Sequence, residues 1–353
     1  MTLSISLLSL IAQLASMRAL IAALCVLRAA TLRPLRPLQS PRDASLRALA
    51  SDDLCERLKE RVDLCSHVPA GLELLPLLGD GVGGLPDGTR LGAVAAPLAA
   101  ALADAGDAFV VGGGAVRLAP ALRGAPAAAR TAAVAAVTAE LRARGVVEGW
   151  RDELLAVVPA YGDEPAFLVE RAAYPLLGCK GYGVHVNGFA RSRGELRLWV
   201  GTRSATKQTF PGMLDHICAG QQPHDLAPGE NVVKEAGEEA GVPAALAAGA
   251  VPVGAVSYRG VNGEGKGERV TNDIIFCYDL ELPPDFAPRP VDGEIDGFEL
   301  MALDDVVANV LAGRFKPNVA VVTVDFLVRH GVLTPEMRGY LGLVASLRQG
   351  DCA

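Results

Sequence analysis

The chain has 353 residues, half of them hydrophobic and 5% aromatic, with a formal net charge of −7. That length suits two ordinary domains with a sizeable core, and the composition is that of a soluble globular protein rather than a disordered one. The net acidity argues against a mainly electrostatic nucleic-acid binder, which would carry a basic surface, while leaving phosphorylated small molecules open if metal ions mask the repulsion. The seven cysteines, Cys25, Cys55, Cys65, Cys179, Cys218, Cys277 and Cys352, include no C-x-x-C pair. Their scatter excludes a disulfide framework or a zinc site and points to free thiols in a reducing compartment.

Residues 1–50 are a different material from the rest. They hold Arg18, Arg28, Arg33, Arg36, Arg42 and Arg47 against the single acid Asp43. Two apolar runs, "LSISLLSLIAQLASM" and "ALIAALCVL", flank Arg18. Neither reaches the roughly 20 apolar residues of a membrane span. The Arg-, Ser- and Pro-rich stretch that follows gives the segment the profile of an organelle targeting peptide, such as a plastid one. An amphipathic helix packed on the fold, in a cytoplasmic protein, is the alternative.

From Ser51, "SDDLCERLKERVDLC" reads as an amphipathic helix with Ser51 as its cap and Leu54, Leu58 and Val62 on its apolar face. "GDGVGG" satisfies a G-x-G-x-x-G pattern through Gly79, Gly81 and Gly84. Pro86 and Gly88 forbid the phosphate-facing helix that pattern needs, so the stretch is predicted to be a loop. A helix follows over Ala127–Gly145, and then two short strands around a turn at Gly162. Residues 51–178 thus read as a small α+β domain with no cluster of chemistry-bearing side chains. From Tyr182 the chain alternates: "YGVHVNGFAR" and "ELRLWVGTR" are strands joined by a turn at Ser192–Gly194, and "VPVGAVSYRG" and "NDIIFCYDLEL" are two more. One helix runs from Glu230 to about Ala240, and "DDVVANVLAGR" and "PNVAVVTVDFLVRHG" add others. Residues 179–345 read as an α/β domain with a mixed sheet.

The helix near Glu230 carries the chemistry. Glu235, Glu238 and Glu239 lie three and four apart and project from one face, with small Ala236 and Ala240 between them. Three like charges repel unless a cation sits among them. Hard ions such as Mg²⁺ or Mn²⁺ prefer carboxylate oxygens and can bridge a diphosphate. A solvated acidic face is the bland alternative. Against it stands the context: "LDHICAG" reads as a strand running into Gly220, a Pro- and Gly-containing loop follows, and Gly241 closes the helix.

The stretch Gly220–Val242, "GQQPHDLAPGENVVKEAGEEAGV", resembles a Nudix box, G-x5-E-x7-R-E-U-x-E-E-x-G-U with U apolar. Gly220, Glu235, Ala236, Glu238, Glu239, Gly241 and Val242 match, whereas Leu226 and Lys234 replace a Glu and an Arg. Those two residues pair in the general family. Here Glu230, four residues before Lys234, is expected to brace it instead. "ERAAYPLLGCKGYGVHVNGF", "KQTFPGMLDHICAG", "FCYDLELPPDFAP", "DGEIDGF" and "VDFLVRHG" extend the likeness over roughly residues 100–353. They resemble the branch of plant plastid Nudix hydrolases with an extra N-terminal domain, together with the Nudix half of a fungal thiamin pyrophosphokinase fusion. In that branch both departures look normal, but Gln221 stands where a second glycine is usual.

The resemblance implies a Nudix α/β/α sandwich and a Mg²⁺- or Mn²⁺-dependent attack of water on a small-molecule diphosphate, giving a monophosphate. For this branch it points to thiamin diphosphate or its damaged oxo and oxy analogues. Nucleoside diphosphate derivatives, such as 8-oxo-dGDP or nucleotide sugars, and a non-catalytic ligand-binding module are the alternatives. By the same likeness Glu235, Glu238 and Glu239 bind metal with the Gly220 carbonyl, and Glu294 is the candidate general base. Arg203, Lys207 and His224 are candidates for holding the substrate, against structural salt bridges for the first two. His185 reads as a sheet histidine and Cys218 as a packing residue. The first domain is expected to complete either the substrate pocket or the interface of a homodimer.

Overall fold

The computed structural model describes residues 52–192, 194–262 and 268–352. The expected targeting segment, the expected cap at Ser51 and the centre of the turn at 192–194 lie outside the described residues. Helix α1 (Leu54–Asp63) buries Leu54, Leu58 and Val62, the stripe read from the sequence, together with Cys55. A four-stranded sheet follows, from β1 (Leu74–Leu78), β2 (Arg90–Ala95), β3 (Phe109–Gly112) and β4 (Ala115–Leu118). Its order is β2-β1-β4-β3, with β1 parallel to β4 and the other pairs antiparallel. The glycine-rich stretch between β1 and β2 is a turn, as expected. Asp80 closes it by accepting from the Gly88 N–H at 2.6 Å and from Arg117 Nε at 2.7 Å.

Helix α2 (Ala96–Asp104), a short α3 (Pro120–Arg123) and α4 (Ala127–Ala143) come from the same region. The hairpin of β5 (Leu154–Val157) and β6 (Phe167–Glu170) lies against α4, where the Leu168 N–H donates to Thr131 Oγ1 at 2.9 Å. Val134, Val137 and Leu141 of α4 join Leu77, Leu91, Leu98, Val116 and Phe167 in one core. The hairpin and its turn are where the sequence put them. The four-stranded sheet was not foreseen, because its short apolar runs sit in Ala-, Gly- and Pro-rich sequence where no period stands out.

The second sheet is built from β7 (Gly181–Ser192), β8 (Glu195–Arg203), β9 (Leu214–Asp215), β10 (Cys218–Gln221), β11 (Val251–Asn262), β12 (Arg269–Glu281) and β13 (Ile295–Ala302). Its order is β11-β12-β7-β8-β13, with β10 on β7 and β9 on β8. Only β12 and β7 run parallel among these pairs, so the sheet is mixed. The single strand expected over "LDHICAG" is split, because β9 pairs with β8 and β10 with β7. Between them the His216 N–H turns onto Asp215 Oδ1 at 2.8 Å instead of continuing a ladder.

Strict alternation gives each strand two different faces. Val184, Val186, Tyr278 and Leu280 pack with Val232, Ala236 and Ala240 of helix α5 (Pro228–Ala240), beside which sits the short α6 (Ala244–Ala247). Phe189, Ile275 and Cys277 face the other way, onto α7 (Leu303–Leu311), α8 (Pro317–Arg329) and α9 (Tyr340–Ser346). The result is an α/β/α sandwich. Among the described residues no helix is long and apolar enough to cross a membrane.

Helix α1 leads the chain but belongs to this second core. Leu54, Cys55, Leu58 and Val62 pack with Val306, Val310, Leu343 and Leu347. An apolar stripe announces that a helix packs, but does not say against what. Leu58→Ala is expected to lower the unfolding free energy by about 2–5 kcal/mol through loss of buried side chain and a residual cavity. Denaturant unfolding followed by far-UV circular dichroism checks this, and a loss under 1 kcal/mol would place α1 outside the core.

Candidate active site

Helix α5 starts at Pro228, whose missing N–H costs nothing at a helix start, and stops at Gly241 in the left-handed region (φ 62°). There the Gly241 N–H returns to the Gly237 carbonyl and the Val242 N–H to the Ala236 carbonyl, at 3.2 and 3.0 Å. The brace expected between Glu230 and Lys234 is absent. Glu230 Oε2 instead accepts from the Ala227 N–H at 3.1 Å, at the helix start. Satisfying such an orphan donor is worth about 1 kcal/mol, against about 0.2–0.5 kcal/mol for an exposed i,i+4 ion pair, so the cap wins. Lys234 turns the other way, its ammonium 2.8 Å from Glu238 Oε2 and 3.1 Å from Glu235 Oε1.

The bracing role falls to two amides. Asn231, fully buried on α5, donates from Nδ2 to the Gln221 carbonyl at 3.0 Å and to Gln222 Oε1 at 3.3 Å. Gln222 in turn donates to the Pro223 carbonyl at 2.9 Å and to that of Leu226. The loop between β10 and α5 is thereby tied to the helix through neutral groups. Leu226 contributes its carbonyl where the general motif uses a carboxylate.

Helix α5 presses its acids against β10. A Cβ at Gly220 would lie 2.3 Å from Glu235 Cδ, so only glycine leaves room for that carboxyl group. Glu239 is buried, with 7% exposure, and its Oε2 accepts from the Ala219 N–H at 3.2 Å. Glu238 stays half-exposed beside Lys234. Burial pushes the Glu239 carboxyl well above its ordinary value of 4.5, and the charges of Asp215, Glu235 and Glu294 push the same way, against the Ala219 N–H. Burial also raises Glu235. There Lys234 opposes the shift, while Glu238 and Glu294 add to it.

Glu294 thus lies near enough for its charge to act on both Glu235 and Glu239. Its Oε2 lies 2.7 Å from Lys207 Nζ, and the Ser204 N–H donates to its carbonyl at 2.8 Å. Arg203 lies inside the protein, with 7% exposure. Its guanidinium meets Asp215 Oδ2 at 2.6 Å and the carbonyls of Phe210 and Thr209 at 3.1 and 3.0 Å. That set of bonds pins the loop from which Lys207 reaches Glu294. His224 lines a cleft together with Gln222 and Asp225. His185 is buried with Nδ1 3.0 Å from His216 Nδ1, and His216 Nε2 is 3.3 Å from Thr323 Oγ1. Burial holds both imidazoles low, His216 at about 4, so the pair is neutral at physiological pH. Cys218 packs in the core beneath α5.

Gly220, Glu235, Glu238, Glu239, Glu294 and Lys207 therefore share one site, while Arg203 is engaged by Asp215 and two loop carbonyls, and His224 lines the neighbouring cleft. Sequence reasoning missed Asn231, Gln222 and Asp215. Only Asn231 left a signal, as a polar residue next to the buried Val232 in α5. The oxygens of Glu235, Glu238 and Glu239 with the Gly220 carbonyl make a hard donor set suited to Mg²⁺ or Mn²⁺. Among the described residues no three carboxylates, imidazoles or thiols already converge into a finished cage. Lys234 is the cation in contact with Glu235 and Glu238.

A raised carboxyl pKa means that folding favours the protonated form. The contribution of Glu239 to stability is full below about 4.5 and is lost as pH rises through its folded-state pKa. Glu239→Gln, in the presence of EDTA, is therefore expected to raise Tm at pH 8 and to leave it unchanged near pH 4. Differential scanning fluorimetry across that range checks this, and a lower Tm at pH 8 contradicts it.

Residues 85–181 match the model of a domain of unknown function, DUF4743. The chain is 46% identical over 225 residues to Nudix hydrolase 20, chloroplastic, of Arabidopsis thaliana, covering 64% of this chain and 59% of that protein. It is also 46% identical over 226 residues to Nudix hydrolase 24, chloroplastic, of the same plant, covering 64% and 60%. Among solved structures, the DR0079 protein of Deinococcus radiodurans is 24% identical with a TM-score of 0.36, over 50% of this chain and 98% of that one. The chain thus spans about three-fifths of the length of the plant proteins it matches. Over those 225 residues the chain is similar to proteins named chloroplastic Nudix hydrolases.

Proposed function

We propose that this chain is a metal-dependent pyrophosphohydrolase that cleaves a diphosphate linked to an organic group and releases the monophosphate. Thiamin diphosphate or its oxo and oxy analogues are the proposed substrates. The observation that carries this reading is the pair Glu235 and Glu239, drawn largely out of water against Gly220 and Ala219, with the exposed Lys234 in contact with Glu235. Desolvated like charges cost stability and make sense where a cation or a cationic transition state is to be bound.

Glu235, Glu238, Glu239 and the Gly220 carbonyl would hold Mg²⁺ or Mn²⁺. When bound, the ion neutralises diphosphate charge and makes a coordinated water more acidic. Glu294 takes the proton as the water oxygen bonds to phosphorus and the bridging P–O bond breaks. Lys207, at 2.7 Å, fixes the direction of that carboxylate and adds positive charge at the phosphate end. Lys234 keeps Glu238 and Glu235 turned towards each other. The chloroplastic names of the plant relatives support a plastid location, with residues 1–50 as the import signal.

The test is phosphate release with Mg²⁺ or Mn²⁺ from thiamin, oxothiamin and oxythiamin diphosphates beside oxidised nucleotides. Turnover of the thiamin series is expected, with Glu239→Gln slower by roughly a hundredfold or more through loss of a metal ligand. Folded protein that releases phosphate from no member would sink the hydrolase reading, and preference for the nucleotides would sink the substrate.

A further inference from the structure

A cleft of about 530 Å³ opens between the β5–β6 hairpin and the loop that leads into α5. That is the size of an ordinary small-molecule pocket, about 300–1,000 Å³. Tyr161 and Asp163 line it from the hairpin, Tyr182 from the start of β7, and Gln222, His224 and Asp225 from the loop. We propose that this cleft is the subsite for the organic group of the substrate, and that it takes a flat ring, a positively charged one more tightly than a neutral one. The proposal rests on the hydrolase reading for where the diphosphate lies.

Three observations carry it. The first is an aromatic platform. Tyr161 is 44% exposed, yet its ring is fixed edge-on to Phe276 at 4.9 Å and tilted on Tyr182 at 5.1 Å, while Tyr182 and Phe276 stack at 6.3 Å with 13° between planes. A large ring held rigid at the rim of a cleft loses little further entropy when a ligand ring lies on it.

The second is charge. The lining holds four carboxylates, Glu153, Asp163, Glu164 and Asp225, and neither Lys nor Arg. Arg171 pairs with Glu153 at 2.7 Å, which leaves Asp163, Glu164 and Asp225 as the acids that set the sign of the lining. Asp163 accepts from the Ala160 N–H at 3.1 Å, which holds its carboxylate in the hairpin turn. Such a lining repels phosphate and attracts a cationic ring, so the two ends of one substrate are sorted between two places.

The third is position. Gln222 is two residues past Gly220, about 7 Å away at strand spacing, so a diphosphate bridging the acids to the cleft is within reach. The amide of Gln222 is held by the Pro223 and Leu226 carbonyls and by Asn231, which makes that wall rigid. The hairpin contributes residues from the N-terminal region, giving that region a direct part in choosing the substrate.

Calorimetric titration of the full chain with thiamin, a cationic ring without phosphate, and with oxothiamin, its neutral counterpart, tests this. Wild type is expected to bind thiamin. Asp163→Asn is expected to weaken thiamin about tenfold while leaving oxothiamin unchanged, and Tyr161→Ala to weaken both. Both side chains are at the surface, and circular dichroism confirms that the variants fold. No thiamin binding by wild type, or equal binding by all three proteins, overturns the subsite whatever the hydrolysis panel shows. Thiamin binding lost in the variants upholds it even if wild type hydrolyses nothing, in which case only the hydrolase reading falls.

Discussion

The contact on which the site depends is a carboxyl group laid over a glycine. Glu235 can approach β10 only because Gly220 has no Cβ. That approach brings α5 onto the sheet along Val232, Ala236 and Ala240 and carries Glu239 into the interior beside it. Small alanines on the packed face and glycine on the strand serve one end, a short distance between helix and strand. The same closeness strips water from the acids and raises their pKa values. Stability is given up at the place where a cation would be wanted, as is common at functional sites.

Neutral amides then do what an ion pair does in the wider motif. Asn231 and Gln222 tie the loop to the helix without adding charge beside Glu235 and Glu239. This frees Lys234 to sit between Glu235 and Glu238. On the far side, the buried Arg203–Asp215 pair fixes the loop that bears Lys207, and Asp215 heads the charges that act on Glu239. Removing either partner of a buried pair leaves an uncompensated charge, so Arg203 is better placed to hold the site's frame than to meet a ligand.

The strands of the second sheet were legible because burial on two faces imposes an alternation that little else produces. "YGVHVNGFAR" became β7 with one residue added at each end. The stop of helix α5 was equally plain, since Gly241 acts locally, whereas its start lies at Pro228, two residues before the expected Glu230. The acids were legible as a group from their spacing. What escaped was whatever depends on the choice among partners. Glu230 and Lys234 have an ideal spacing for each other and both prefer something else. The split between β9 and β10, the docking of α1 on a core more than 100 residues away and the seven-residue α9 are settled by tertiary packing. Gln221, which replaces a glycine usual in the branch, keeps its place in β10 opposite Gly183 and gives its carbonyl to Asn231.

A cation site at the Gly220–Glu235 contact requires that glycine leave the carboxyl group in place. Gly220→Ala would push a flexible carboxyl group rather than backbone, so the fold should survive while Glu235 moves. Electron paramagnetic resonance of free Mn²⁺ during titration reads the consequence directly. Saturable binding by wild type, weakened about tenfold or more in a folded Gly220→Ala protein, is the result this structure requires. Equal Mn²⁺ affinity in the two proteins would contradict it.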